Sequence, residues 1–175
     1  MASKRREPQQ VKPSQALLQA LAGYIRGRFA PRTAVEVLGD GAFITALKAE
    51  SPGLIEGRYI SFASDWFDRD AYAWRMKAEA VAAGVQSLRA DAIVSCPPLL
   101  LASDVLRLAK IRIDPGGVIG LLLPSSWRDE KIADACFRPN RVVRVIPSPA
   151  EEPYDFCLWL PGSNENDNYL LWGEK

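Results

Sequence analysis

The stretch from Ala90 to Leu99 constrains this chain more than any other. It reads Ala-Asp-Ala-Ile-Val-Ser-Cys-Pro-Pro-Leu. Ala92, Ile93 and Val94 are apolar and partly β-branched, as a buried strand requires. The strand then runs into Pro97 and Pro98, which cannot donate to a sheet ladder, and Pro97 pushes Cys96 toward an extended backbone. A central strand ending in a stiff loop is predicted. In an open α/β sheet, ligands bind at the carboxyl ends of central strands.

The flanking segments supply the rest of such a sheet. Ser14 caps a helix in which Leu17, Leu18, Leu21 and Ile25 recur at helical spacing, and Pro31 stops it. Thr33 to Leu38 is a strand that opens onto Gly39-Asp40-Gly41, followed by a helix from Ala42 to Glu50. Strand, glycine turn and helix bring backbone N–H groups close to a ligand, although the same pattern also serves as a plain tight turn. Gly57 to Ala63 is a strand that runs on to Asp65 and Trp66, and the alanine-rich run from Ala71 to Ala83 is a helix. After the Pro-Pro strand come a helix from Leu101 to Lys110, the breaker Pro115-Gly116-Gly117 and the apolar strand Val118 to Pro124. A short helix over Asp129 to Cys136 and strands at Arg141–Ile146, Phe156–Leu160 and Tyr169–Trp172 complete the chain.

A length of 175 residues suits one domain. Residues 1–13 are polar and basic and read as a disordered arm, leaving 14–175 as the single folded domain. Up to Val35 there are seven Lys or Arg against Glu7 alone, so the body carries the acidic excess. A basic arm suits phosphate contacts and makes DNA a candidate partner; the same composition also describes a solvated, frayed terminus. Cys96, Cys136 and Cys157 are widely spaced in apolar surroundings, which favours buried thiols in a reducing, cytoplasmic setting. With no histidine, His-based triads and His-containing zinc sites are excluded, and no metal is expected. No apolar run approaches membrane length.

The run Ser95-Cys96-Pro97-Pro98-Leu99 resembles the Asn/Asp-Pro-Pro-aromatic motif of the S-adenosylmethionine-dependent amino-methyltransferases, and among these the small phage-type adenine-N6 enzymes. Glu36-Val37-Leu38-Gly39-Asp40-Gly41-Ala42-Phe43 is similar to their cofactor loop, one residue shorter. Asp65-Trp66 is similar to their adenine-holding pair, and the Pro-Gly-Gly strand to the segment that follows their motif. The resemblance covers about Thr33 to Trp172. It implies a Rossmann-like class I methyltransferase three-layer sandwich, mostly parallel, with a C-terminal antiparallel hairpin and one strand fewer than usual. It implies S-adenosylmethionine as cofactor, held by Glu36, Gly39, Asp40, Gly41, Asp65 and Trp66. Glu56 is the available counterpart of the acid that binds the ribose hydroxyls.

Cys96, Pro97, Pro98 and Leu99 would then form the catalytic segment. Two of the four depart from the family pattern. A thiol is a poor acceptor for the substrate amine, and leucine has no π-face to stack on a flipped base. Cys96 as a nucleophile fits worse, since no histidine or nearby base lowers its pKa. Two function classes remain: an amine methyltransferase with an unusual motif, and a methyltransferase-fold module that has lost catalysis and binds a protein or nucleic-acid partner.

Overall fold

The computed structural model describes residues 12–50, 56–60, 89–128, 138–146, 153–162 and 167–173. Helix α1 covers Gln15–Phe29 and is capped as its sequence requires, with the Ser14 hydroxyl accepting from Leu17 N–H. It ends at Phe29, two residues ahead of Pro31. Ala30 turns into the left-handed region and its N–H donates to the Arg26 carbonyl. Strand β1, Thr33–Val37, leads through the glycine turn into α2, Ala42–Glu50. Strands β2, Glu56–Ile60, and β3, Ala90–Ser95, follow. A single 3-10 turn at Leu99–Leu101 opens α3, Ala102–Arg112, and β4 runs from Ile113 to Pro124. A second 3-10 turn, Ser125–Arg128, precedes β5, Arg141–Ile146, β6, Tyr154–Trp159, and β7, Asp167–Gly173.

The strands form one seven-stranded sheet in the order β2-β1-β3-β4-β6-β5-β7. The β2-β1-β3-β4 half is parallel, and β6 lies antiparallel to both β4 and β5. The predicted C-terminal hairpin is this β5–β6 pair. The last strand adds an unforeseen feature, since β7 joins β5 in parallel at the outer edge.

One expectation changes around β2, which is described over Glu56–Ile60, against the predicted Gly57–Ala63, and pairs directly with β1. Glu56, read as a counterpart of the ribose acid, opens β2 and lies opposite Thr33, the first residue of β1. That register puts it at the amino edge of the sheet, away from the glycine turn. The breaker Pro115-Gly116-Gly117 is also drawn into β4. Ala90 pairs with Ile113 and Ala92 with Val118, so the intervening residues bulge from the ladder.

Each face of the sheet is covered by helix, giving three layers. Leu17, Leu21 and Ile25 of α1 and Phe43, Ile44 and Leu47 of α2 pack on Ala34, Val94, Val118 and Leu122. Leu101, Val105, Leu106 and Ala109 pack on Val35, Val37, Ile93, Ile119 and Leu121 on the opposite face. The central strands are therefore buried on both sides, which explains their continuous apolar runs. Side chains fasten the two central strands at both ends. At the amino edge, Asp91 accepts from Arg32 N–H at 2.9 Å and Thr33 N–H at 3.0 Å. At the carboxyl edge, the buried Ser95 hydroxyl donates to the Val37 carbonyl. Among the described residues, no helix is long and apolar enough to cross a membrane.

Candidate active site

The connection from β1 leaves to β2 on one side, while β3 lies on the other. The strand order therefore reverses between β1 and β3, and the loops leaving their carboxyl ends are the expected ligand-binding position. The Ser95–Val37 hydrogen bond holds these two loops together at their base.

The first loop is built around Glu36. This carboxylate is buried and turns up under the glycine turn, where Oε2 accepts from Ile44 N–H at 3.1 Å. It fills the space beneath Gly39, so a Cβ there would fall on its carboxyl group. Leu38 and Gly41 both take positive φ, at 59° and 87°, which bends the chain tightly over that carboxylate. Asp40 accepts from Ala42 N–H at 3.0 Å, and the Gly41 carbonyl receives both Thr45 N–H and the Thr45 hydroxyl. The first turn of α2 thus has its Ala42 and Ile44 N–H groups satisfied by the chain's own carboxylates. Burial raises the Glu36 pKa, the Ile44 N–H opposes that rise, and the Asp40 charge adds to it.

The second loop carries the Pro-Pro motif. Cys96 is buried, and burial, followed by the charges of Glu36 and Asp40, pushes its thiol well above the ordinary range. Cys96 lies in the same core cluster as Phe43 and Ile44, and Ile44 N–H is the donor to Glu36. Pro97 and Pro98 are buried. The Pro98 carbonyl accepts from Leu101 N–H at 2.9 Å and so starts the turn into α3. Leu99 is half-buried and packs against the α3-side core. Asp65 and Trp66, the predicted adenine-holding pair, lie outside the described residues. A separate cleft of about 310 Å³ opens between α1 and α2, lined by Leu18, Gln19, Ala42, Thr45 and Ala49, and none of the predicted site residues lines it.

A third group at this edge escaped sequence reasoning. Asp155 on β6 is fully buried and accepts from Trp127 Nε1 at 2.9 Å, Arg128 Nε at 2.9 Å and Arg144 Nε at 3.1 Å. Arg128 Nη2 also reaches it at 2.8 Å. The available signal was one acid inside the otherwise apolar strand Tyr154–Trp159; it is distant in the chain from Trp127 and Arg128 and meets them only through the fold.

No family model matches this chain, and no curated protein matches it. Solved structures do. A predicted O-methyltransferase from Agrobacterium tumefaciens is 17% identical, with 89% of this chain and 84% of that one covered at a TM-score of 0.59. The O-methyltransferase TomG from Streptomyces achromogenes, solved with S-adenosylmethionine, is 12% identical over 86% of this chain and 82% of its own, with a TM-score of 0.55. The tRNA methyltransferase TrmK from B. subtilis is 12% identical over 88% of this chain and 68% of its own, with a TM-score of 0.51. This chain shares with them the Rossmann-like class I methyltransferase fold. They are O- and tRNA methyltransferases by name, so the adenine-N6 DNA type rests on the Pro-Pro motif alone.

Proposed function

We propose that this chain is a methyltransferase-like protein that binds S-adenosylmethionine at the β1/β3 edge, with an exocyclic amine of the adenine type, in DNA, as its acceptor. The observation that carries the cofactor reading is the charge and hydrogen bonding of the glycine turn. Gly-rich turns ahead of a helix often hold pyrophosphate through free N–H groups and the helix dipole. Here Glu36 and Asp40 take the Ile44 and Ala42 N–H groups and leave the turn acidic. An anionic phosphate would meet two carboxylates. A cationic sulfonium, or the ammonium of a methionine moiety, suits them. A structural neighbour solved with the same cofactor, the O-methyltransferase TomG, supports this reading.

When bound, S-adenosylmethionine supplies an electrophilic methyl on sulfur. The chain's own residues must then hold the acceptor amine in line with that methyl and exclude water. The Cys96 carbonyl, fixed ahead of Pro97, is the polar group that the motif retains for orienting the amine. The thiol stays neutral and adds little as an acceptor. The Pro98 carbonyl already receives Leu101 N–H. Positioning is therefore weakened at two of four motif positions, and the transfer rate should be low. A second reading, a module that binds the cofactor without catalysing transfer, is favoured by one observation: Leu99 packs into the α3-side core instead of presenting an aromatic face.

The test is methyl transfer from labelled cofactor to unmethylated DNA, comparing the wild type with Cys96→Asn/Leu99→Tyr. The double variant should exceed the wild type by at least about tenfold, an amount that one well-placed amine acceptor accounts for. A variant that binds cofactor as the wild type does, yet shows no gain, would contradict the amine assignment and leave the non-catalytic module.

A further inference from the structure

The direction of α1 sets where the chain enters the fold. At the carboxyl end of α1, Arg32 N–H donates to Asp91 and Thr33 opens β1, so this end lies at the amino edge of the sheet. Gly23 stands beside the Glu50 carboxylate at the end of α2, while Pro13, Gln15 and Leu18 share a cleft with Ala42 and Thr45 at its start. The two helices therefore run side by side in the same direction. Helix α2 begins directly after the glycine turn, at the carboxyl edge, so α1 begins at that edge too. Lys12 and Pro13 thus stand at the edge that carries the candidate site.

That edge lacks free positive charge near the two ligand-facing loops. Across residues 38–42 and 96–99 the single charged residue is Asp40, which is exposed, and the buried Glu36 lies beneath it. Further along, Arg128 and Arg144 are drawn onto the buried Asp155. A DNA acceptor carries a phosphate for every base it presents, and these loops give its phosphates a carboxylate to meet. The cations are in the chain ahead of α1. Residues 1–13 hold Lys4, Arg5, Arg6 and Lys12 against Glu7 alone, and Lys12 is exposed. An extended chain from Pro13 to Lys4 spans up to about 30 Å. The edge from β1 to β6 is three strand spacings, about 14 Å, so every loop there is within that reach.

We propose that the basic arm of residues 4–12 holds the phosphates of the acceptor DNA beside the glycine turn, at the carboxyl edge of the sheet. This rests on the reading of the acceptor as DNA. It separates two tasks: the loops take the cationic cofactor, and the arm supplies the positive charge that they lack.

The experiment is fluorescence anisotropy of a short labelled DNA duplex titrated with the full chain over a range of salt concentrations, beside calorimetric titration with S-adenosylhomocysteine. Lys4→Gln/Arg5→Gln/Arg6→Gln should weaken DNA binding at least about tenfold at low salt. It should also flatten the slope of log K against log salt by about two to three, since each lost phosphate contact removes about 0.9. Affinity for S-adenosylhomocysteine should stay as in the wild type, which shows that the variant folds. Asp40→Asn should tighten DNA binding at low salt. Asp114→Asn removes the same charge at the opposite edge and should not. Equal effects of these two substitutions would overturn the placement, because net charge alone would then explain both. DNA affinity unchanged in the triple variant, or no DNA binding by the wild type, would overturn the arm's role. Unchanged DNA affinity with tighter S-adenosylhomocysteine binding would overturn it in favour of an arm that lies on the glycine turn itself. S-adenosylhomocysteine binding without arm-dependent DNA binding refutes the arm alone. Arm-dependent DNA binding without S-adenosylhomocysteine binding sustains the arm and refutes the cofactor reading.

Discussion

Glu36 decides the shape of the glycine turn, and its protonation follows from where it sits. The carboxylate is buried under Gly39, satisfied by Ile44 N–H and close to the charge of Asp40. Burial and Asp40 together hold its proton more tightly in the folded state than in the unfolded chain. The resulting stability is fully present below the ordinary glutamate pKa and is lost as pH rises through the higher folded value. Glu36→Gln keeps an acceptor for Ile44 and removes the titration. The difference in Tm between the variant and the wild type should therefore move in the variant's favour from pH 4.5 to pH 7.5. Thermal melts across that range check it; a difference that stays flat would mean that Glu36 ionises in the fold as it does in water. Glu36, Gly39, Asp40 and Gly41 were legible as part of one turn because their spacing is local. That the two carboxylates bond the helix N–H groups was not legible, since it depends on how far the chain folds back at Leu38 and Gly41.

At the scale of elements, the Pro-Pro strand was read with little error because its signals are strong: β-branched residues, then prolines that end the ladder. What the pattern could not show is the neighbour of each strand. Glu56 was read as the counterpart of the ribose acid and is the first residue of β2, and only the register against Thr33 reveals which edge of the sheet it occupies. Ser95 looked like the first residue of a motif. In the sheet it is the clip between β3 and β1, a contact across 58 residues of sequence. Ser95→Ala should cost about 1–3 kcal/mol, because the Val37 carbonyl loses a buried donor. Urea unfolding measures that cost. The variant should also bind S-adenosylhomocysteine more weakly, because the two ligand-facing loops lose their common anchor. A loss under about 0.5 kcal/mol would show that the backbone ladder alone fixes the loops.

For the whole molecule, strand order is the property that turns local patterns into a site. The reversal between β1 and β3 gathers an acidic glycine turn and a proline-stiffened loop, and the antiparallel β6 carries Asp155 to the same edge. The glycine-turn end of that edge is the acidic one. The alternation of βα units made the parallel half legible. The parallel pairing of β7 with β5 was not, because a short polar-flanked strand states nothing about its partner. The claim on which the rest depends is that the β1/β3 edge holds S-adenosylmethionine. Calorimetric titration of the purified chain with S-adenosylhomocysteine tests it most directly. The account predicts one site per chain with a Kd in the micromolar range, about −8 kcal/mol. No heat of binding at millimolar ligand would contradict it, and would mean that the fold is kept for a different partner.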